Sequence, residues 1–404
     1  MKKVIALGLA LTAGVNASNI ADVIAAGNVS GQLRLAYIDQ NNDAGTDTYA
    51  TSLGGQLKYE TGSWNNLKLG VAAYVSGKLP FASGSGDRLN PDFFDTDGKS
   101  FVYLGEAYMD YTADDITLRI GRQQIETPFM ETDDVRMLPN SFEAAIATYR
   151  GFENTTVVAG YARRWAGYDS PTGHNDSLNE FKKFGEHHDS NGLYLLGATN
   201  ESLENLAVQG WIYVIDQYSD IAYADAVYTI NLSETASTEL CGQYAYFDED
   251  KDNQGNNTGI DGQVYGAGIN VNMGMVTLNA AYNHTSNTNG KFITNGLGGG
   301  PYYTSMEEMT IDGMSDAVAY AGGATLDLAS LGAEGLSIGV MEGIFKSSLM
   351  DADVREWDMV AAYDISETVS CDVSYAQVDD RKNNFDAGND AGYSRFLARI
   401  NYNF

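Results

Sequence analysis

Proline is scarce in this 404-residue chain, with 6 residues against 44 glycines and 26 tyrosines. Average usage would give proline nearer ~5% and glycine nearer ~7%. That imbalance fits tilted, closely packed strands with aromatic ends. Cations are also few: 24 Lys and Arg face 54 Asp and Glu, for a net charge of −30. So acidic a chain excludes a nucleic-acid partner, whose phosphates need a basic surface. The charge fits large hydrated loops outside a membrane, and taken alone it fits a soluble acidic protein equally well. No run beyond the N-terminus approaches the ~20 apolar residues that a membrane-spanning helix needs. The one short run, Val4 to Val15, follows Met1-Lys2-Lys3 and precedes Val15-Asn16-Ala17. That is the layout of a secretory signal peptide over residues 1–17, cleaved after Ala17. Export of this kind would leave a mature chain starting at Ser18.

Cysteine is nearly absent. Cys241 and Cys371 are the two present, and an exported chain could oxidise them. Alternation places Cys241 with Glu239 and Gln243 on a polar face, and Cys371 with Val369, Val373 and Tyr375 on an apolar one. Opposite faces predict two free thiols. Histidine numbers 4, and His174, His187 and His188 fall in one connection without metal-ligand spacing. Asp248, Asp250 and Asp252, followed by Asn253 and Asn256, resemble a Ca²⁺ loop in spacing. They lack the glycine at position six and the glutamate at twelve, which favours a solvated loop and leaves Ca²⁺ binding by 248–256 open. No serine elbow, Cys–His pair or nucleotide loop stands in a suitable context. No cofactor, metal or catalytic residue is therefore expected.

What fills the chain is period-two alternation. Leu33, Leu35 and Tyr37 alternate with Gln32, Arg34 and Ala36. Leu53, Gly55, Leu57 and Tyr59 alternate with Gly54, Gln56 and Lys58. Strands with two unlike faces follow. The connections alternate short and long: Tyr111 to Asp115 is tight and Gln124 to Ser141 long, Gly151 to Asn154 tight and Ala166 to Ser190 long. Asn272 to Gly274 is tight and Ser286 to Met314 long. Short periplasmic turns and long extracellular loops are the habit of outer-membrane barrels. The pattern predicts an all-β fold: one closed antiparallel transmembrane β-barrel of about eighteen strands over 28–404. A short periplasmic segment, 18–27, precedes it, with Asn19 capping a helix that stops at Gly27. The chain ends in Phe404, with Tyr402, Ile400, Ala398 and Phe396 on the same face. Outer-membrane assembly machinery recognises such an end, so that machinery and the lipid bilayer are the expected partners.

The segment Arg119 to Arg150 reads RIGRQQIETPFMETDDVRMLPNSFEAAIATYR. Gly121-Arg122-Gln123, Thr127-Pro128, Asp133-Asp134-Val135-Arg136, Leu138-Pro139 and Phe142 together resemble the OprD-type outer-membrane porins. That resemblance implies an eighteen-stranded channel narrowed by inward-folded loops. It also implies uptake of small nutrients: amino acids, short peptides or organic acids.

A channel selects by width, lining groups and charge. The connection from Gln124 to Ser141 is the main constriction candidate, stiffened by Pro128 and Pro139 and carrying Glu126, Glu131, Asp133, Asp134 and Arg136. A solvated surface loop is the plainer reading. Ser286 to Met314 is the second candidate; its Gly298-Gly299-Gly300 reads as flexibility. Alternation turns Arg34, Lys58, Lys68 and Arg119 inward on strands one, two, three and five, and Arg395 and Arg399 inward on the last. Barrel closure sets the last strand beside the first, so the six share one wall. This resembles the basic track that guides carboxylates in OprD-type channels. The simpler alternative pairs each cation with an inward acid such as Glu106 or Asp110. Zwitterionic or carboxylate-bearing solutes with weak cation preference are expected. The rival readings are a non-conducting adhesin or structural barrel and, further off, a barrel enzyme. Monomer and homotrimer are both open.

Overall fold

Turn chemistry sets the frame. Asp114, Asn154, Asn205 and Gly274 each take a positive φ, between 48° and 60°, in two-residue connections. Asn, Asp and Gly tolerate that left-handed region, which matches the twist of paired strands. The computed structural model describes residues 20–170, 178–184, 190–252, 254–286, 290–294, 297–298, 300–382 and 392–404. The expected signal peptide over residues 1–17, Asn19, His174, His187, His188, Asn253 and Gly299 lie outside the described residues.

Eighteen long strands form one antiparallel sheet closed on itself. They are β1 (Asn28–Asn42), β2 (Thr48–Glu60), β3 (Leu67–Lys78), β4 (Phe101–Ala113), β5 (Ile116–Gln123), β6 (Ser141–Phe152), β7 (Thr155–Ala166), β8 (Leu193–Leu203), β9 (Leu206–Ile215), β10 (Ser219–Ser233), β11 (Ala236–Glu249), β12 (Gly262–Met273), β13 (Val276–Thr285), β14 (Ala317–Asp327), β15 (Leu336–Ser347), β16 (Ala352–Asp364), β17 (Val369–Asp380) and β18 (Tyr393–Asn403). Each pairs with its sequence neighbours. The seam is β1 on β18, with Arg34 opposite Asn401 and Gln40 opposite Arg395. A two-residue segment, Lys182–Lys183, adds to the edge of β7 above the barrel. A six-residue helix, Ile20–Ala25, precedes β1. Its Ile24 carbonyl accepts the Tyr59 hydroxyl at 2.5 Å, which ties it to the end where the chain finishes.

The helix Ile20–Ala25 and Phe404 sit at one end, the terminal end. The long connections 79–100, 124–140, 167–192, 250–261, 286–316 and 381–392 all leave the other end, the loop end. Strict alternation of short and long does not hold. At the loop end, 216–218 and 348–351 close as tight turns with Gln217 and Asp351 at positive φ. At the terminal end, 328–335 is longer and holds the short 3-10 turn Ala329–Leu331.

The two barrel faces invert the usual burial. Leu33 and Leu35 are 50% and 40% exposed on the outer face, while Ala36 and Ile38 are fully buried inside. Outer tyrosines pair across strands towards the loop end: Tyr161 with Tyr194, Tyr244 with Tyr265, and Tyr282 with Tyr320, at centroid separations of 5.0 to 5.3 Å. Tyr149, Phe152, Tyr402 and Phe404 mark the terminal end. Such girdles are where a bilayer's interfaces would lie, and they take up part of the tyrosine content. Cys241 lies on the inner face of β11 and Cys371 on the outer face of β17, and both are free thiols. Inside, two separate hydrophobic clusters form where loops meet the wall. One gathers around Phe129, Tyr213, Tyr223 and Phe247. The other holds Ala36, Ile38, Tyr74, Phe93, Met137 and Leu138.

Candidate constriction site

The strap that divides the lumen begins at Gly121. Its φ is +130°, and a Cβ there would lie 2.1 Å from the Ala107 carbonyl oxygen. Only glycine fits so close an approach. Gln123, buried, donates from Nε2 to the Ala144 carbonyl at 3.0 Å, and Arg122 reaches Glu143 at 3.2 Å. Together these groups fix the end of β5 and aim the chain inward. Gly121→Ala is expected to cost about 1–3 kcal/mol of strain. The fraction of heat-modifiable barrel on an SDS gel should fall, and a wild-type melting midpoint would contradict this.

Loop 124–140 then crosses the bore. Thr127 donates its N–H to the Met130 carbonyl at 2.7 Å, and Met130 donates to Thr127 Oγ1 at 3.2 Å. This tight turn holds Pro128 and thrusts Phe129 into the β9–β11 wall. Phe129, fully buried, meets Tyr213, Tyr223 and Phe247 edge-to-face at 5.7, 5.7 and 5.8 Å, and Tyr302 at 6.2 Å. The other end of the loop lands on the seam. Asp134 takes Arg34 Nη1 at 2.6 Å and Nη2 at 2.7 Å. Its carbonyl accepts Arg399 Nη1 at 2.6 Å. Met137 and Leu138 seal that end in the second hydrophobic cluster. The polar segment from Glu131 to Arg136 spans between the two anchors.

Loop 286–316 meets it from the opposite wall. Asn283 on β13 accepts the Thr304 N–H at 3.0 Å, and Gln243 on β11 accepts the Tyr303 N–H at 3.1 Å. Buried Glu356 on β16 accepts the N–H groups of Glu308 at 2.9 Å and Met309 at 2.7 Å. Asp358 accepts the Glu307 N–H at 3.2 Å. Between the two loops lies a four-charge knot. Arg136 reaches Asp92 at 3.2 Å and Glu308 at 3.4 Å. Arg395 on β18 reaches Glu308 at 2.5 Å and Asp92 at 3.6 Å. Burial works against the Arg136 charge, but Tyr168, Glu308 and Asp92 outweigh it and raise its pKa well above the ordinary value. A cavity of about 490 Å³ opens here, lined in part by Glu131, Asp133, Asp169 and Glu307. A second, of about 500 Å³, lies on the terminal side of the strap around Arg119, Gln124 and Glu126.

The six inward cations divide by depth. Arg34, Arg395 and Arg399 hold the loops, and Arg399 also bonds Asp372 at 2.8 Å. Nearer the terminal end Lys58 pairs with Glu106 at 3.1 Å, and Arg119 grips Asp110 with two bonds of 2.6 Å. Arg119 also stacks 4.0 Å above the Tyr108 ring. Lys68 is exposed on the face it shares with Gly70 and Ala72. The acidic loop and the basic wall do not face each other across a gap at Asp134; there they touch. Glu126 accepts the Thr132 hydroxyl on the terminal side of the strap. Asp92, Glu308, Glu356, Asp358 and Phe129 were not among the residues singled out from sequence. For Glu356 and Asp358 the alternation of Arg355, Trp357 and Met359 carried the signal.

In the acidic loop 248–256, Asp252 accepts the N–H groups of Gln254 and Asn256, each at 2.8 Å. Asp250 accepts that of Gln217 at 3.0 Å. Among the described residues, no group of three or more His, Cys, Asp or Glu side chains is placed to hold a metal ion.

Residues 24–374 match the profile of the outer membrane porin, OprD family. The chain belongs to the OprD family of outer membrane porins. Three solved Pseudomonas aeruginosa structures resemble this porin in three dimensions. OccK1 (OpdK) has a TM-score of 0.79 at 15% identity, over 95% of this chain and 99% of that one. OccK9 (OpdG) has 0.79 at 17%, over 95% and 100%. OccK8 (OprE) has 0.78 at 15%, over 95% and 99%. At such identities the likeness speaks to the closed eighteen-stranded barrel. No curated protein sequence matches the chain. The porin is an outer-membrane diffusion channel, with its leucine-rich outer face in lipid and its inner face lining the path.

Proposed function

We propose that this porin admits small hydrophilic solutes, such as amino acids, short peptides or organic acids, through a charged constriction built by loops 124–140 and 286–316. One observation carries this reading. The first loop is fastened to opposite walls, by Phe129 on one side and Asp134 on the other, so passage must occur beside it. The groups beside it are charged, and a pore narrowed by charged side chains selects by sign as well as by width.

Reconstituted into a planar bilayer, the purified porin is expected to give discrete conductance steps. In liposome swelling, small charged solutes should enter faster than a trisaccharide of similar polarity. A correctly folded barrel that never conducts would favour the structural or adhesive reading instead.

A further inference from the structure

We infer that the outer wall of β5–β7 carries, at the loop end, a binding site for a phosphorylated glycolipid of the outer leaflet, with Arg163 and Arg164 as its phosphate ligands. The site lies on the lipid side of the barrel, apart from the solute path. Long loops of such barrels face outward, so the loop end meets the outer leaflet.

The site begins with a bulge. The β6–β7 register shifts between Glu143 and Ala144. Arg163 and Arg164 therefore both turn out, between Ala162 and Trp165, which belong to the inner cluster. Arg164 stands opposite Glu143 on one side and the exposed Lys183 on the other. Residues directly opposite on a sheet share a face, and like charges so placed repel. An anion between Arg164 and Lys183 would offset that repulsion. Beyond β6, Arg122 turns out from β5, and the Phe181 ring lies 4.2 Å from its Cζ.

These guanidiniums also keep hydrogen-bonding capacity that the protein leaves open. A phosphate is recognised best by guanidinium forks with free N–H groups. On the inner wall Arg34 has none, since Asn401 takes Nε and Asp134 takes Nη1 and Nη2. Outside, Arg122 and Arg164 share one carboxylate, Glu143, through Nε contacts of 3.2 and 2.7 Å. Arg122 adds a bond from Nη1 to the Leu104 carbonyl. Among the described residues, Nη2 of Arg122, both Nη of Arg164 and the whole Arg163 guanidinium have no partner. Asp216, which Lys183 also approaches, accepts from Asn191 and Gln217. Glu180, beside Phe181, is exposed to water.

Depth identifies the ligand as a lipid. Tyr161, two residues before Arg163, pairs with Tyr194 in the aromatic girdle, and such rings sit at headgroup level. The arginines lie one step farther out, where lipid phosphates are. Towards the terminal end the same wall is apolar. The small side chains of Ala145, Ala147 and Ala159 run between Ile120 and Leu196, which are 42% and 54% exposed. Such a trough receives an acyl chain. Basic clusters at a membrane interface recognise anionic headgroups, and charge above a trough fits an amphiphile better than a free ion. Farther round the rim the charge reverses. Asp220 on β10 and Asp248 on β11 stand directly opposite, both exposed. That arc could hold a lipid phosphate only through a bridging divalent cation, so chelation separates it from the basic site.

The test is native mass spectrometry of the full-length porin, in detergent with EDTA, titrated with bisphosphorylated lipid A, its phosphate-free counterpart, and inorganic phosphate as competitor. Lipid A is expected to bind, and the phosphate-free lipid at least about tenfold more weakly, because charge-assisted bonds carry the recognition. R163A/R164A, with its barrel verified by heat-modifiable mobility, should lose about tenfold or more of the lipid A affinity and keep the wild-type conductance. R163E, which breaks no contact within the protein, should lose about threefold or more. Equal binding of the phosphate-free lipid would overturn the inference. So would loss of lipid A on chelation, or wild-type affinity in both variants. Inorganic phosphate displacing lipid A at equal concentration would show an anion site without a lipid, and would overturn it as well. Each of these results leaves the channel reading standing.

Discussion

Phe129→Ala is expected to raise the single-channel conductance about twofold or more. At its β9–β11 end the strap buries Phe129 together with Met130 and Ile125, and Phe129 is the side chain that enters the aromatic socket. Truncating a fully buried phenylalanine costs about 3–5 kcal/mol, and each lost edge-to-face contact contributes about 0.5–1.5 kcal/mol to such a pairing. The remaining polar contacts at that end are weak. The Phe129 N–H donates to the Tyr213 hydroxyl at 3.4 Å, the Thr127 side chain also meets that hydroxyl, and a single bridge joins Met130 to Leu297. A net hydrogen bond contributes only about 1 kcal/mol, so the released end should sample positions away from the wall and widen the bore. The barrel should remain closed, because its ladders do not depend on the loop. Phe129→Leu, which keeps most of the buried area, should stay near wild type. Unchanged conductance in Phe129→Ala would show that the aromatic socket is not what keeps the bore narrow.

Asp134→Ala should act at the other end, and more severely than Arg34→Ala. The two residues share one ion pair but not one environment: the Arg34 side chain is 3% exposed and that of Asp134 is 35% exposed. Removing the arginine leaves a carboxylate that water can still reach. Removing the carboxylate strands a guanidinium inside the seam, and an uncompensated buried charge costs about 3–5 kcal/mol. Asn401 and the Arg136 carbonyl remain to Arg34 but carry no full charge. Asp134→Ala is therefore expected to lower the heat-modification midpoint and to produce a noisy open-state current. The double replacement of Arg34 and Asp134 by leucine should recover much of the midpoint, since an apolar pair of similar volume is often tolerated. Equal effects of the two single substitutions would show that exposure does not govern the cost.

The barrel could be read from sequence because lipid and lumen impose unlike chemistry on successive residues. Leu33 and Leu35 against Arg34 and Ala36 is that contrast on one strand, and it fixes register as well as face. The tight turns were legible through their Asn, Asp and Gly residues. Gly121-Arg122-Gln123 could be recognised, but its reason was visible only in three dimensions, where Gly121 lies against the Ala107 carbonyl. The loops resisted reading for a different cause. They have no period, and their partners are remote: Arg34 and Asp134 are 100 residues apart, Arg136 and Glu308 172. Nothing local marks Asp92 as the partner that Arg136 and Arg395 share. Alternation put Arg34, Arg395 and Arg399 on the same wall without revealing that the loops would occupy them. Phe129 looked like any loop aromatic until Tyr213, Tyr223 and Phe247 were placed around it.

The seam gives the protein's biogenesis an order. Arg34 belongs to the first strand and Arg395 and Arg399 to the last; Arg34 and Arg399 hold the strap, and Arg395 holds Glu308 of the facing loop. Until the two ends of the sheet meet, half of the anchorage is missing. A barrel still open along that line is also a barrel without a filter, and the filter is completed by the same event that seals the wall. A nascent porin caught before closure would present loop 124–140 untethered at its Asp134 end, open to proteases that the finished channel resists.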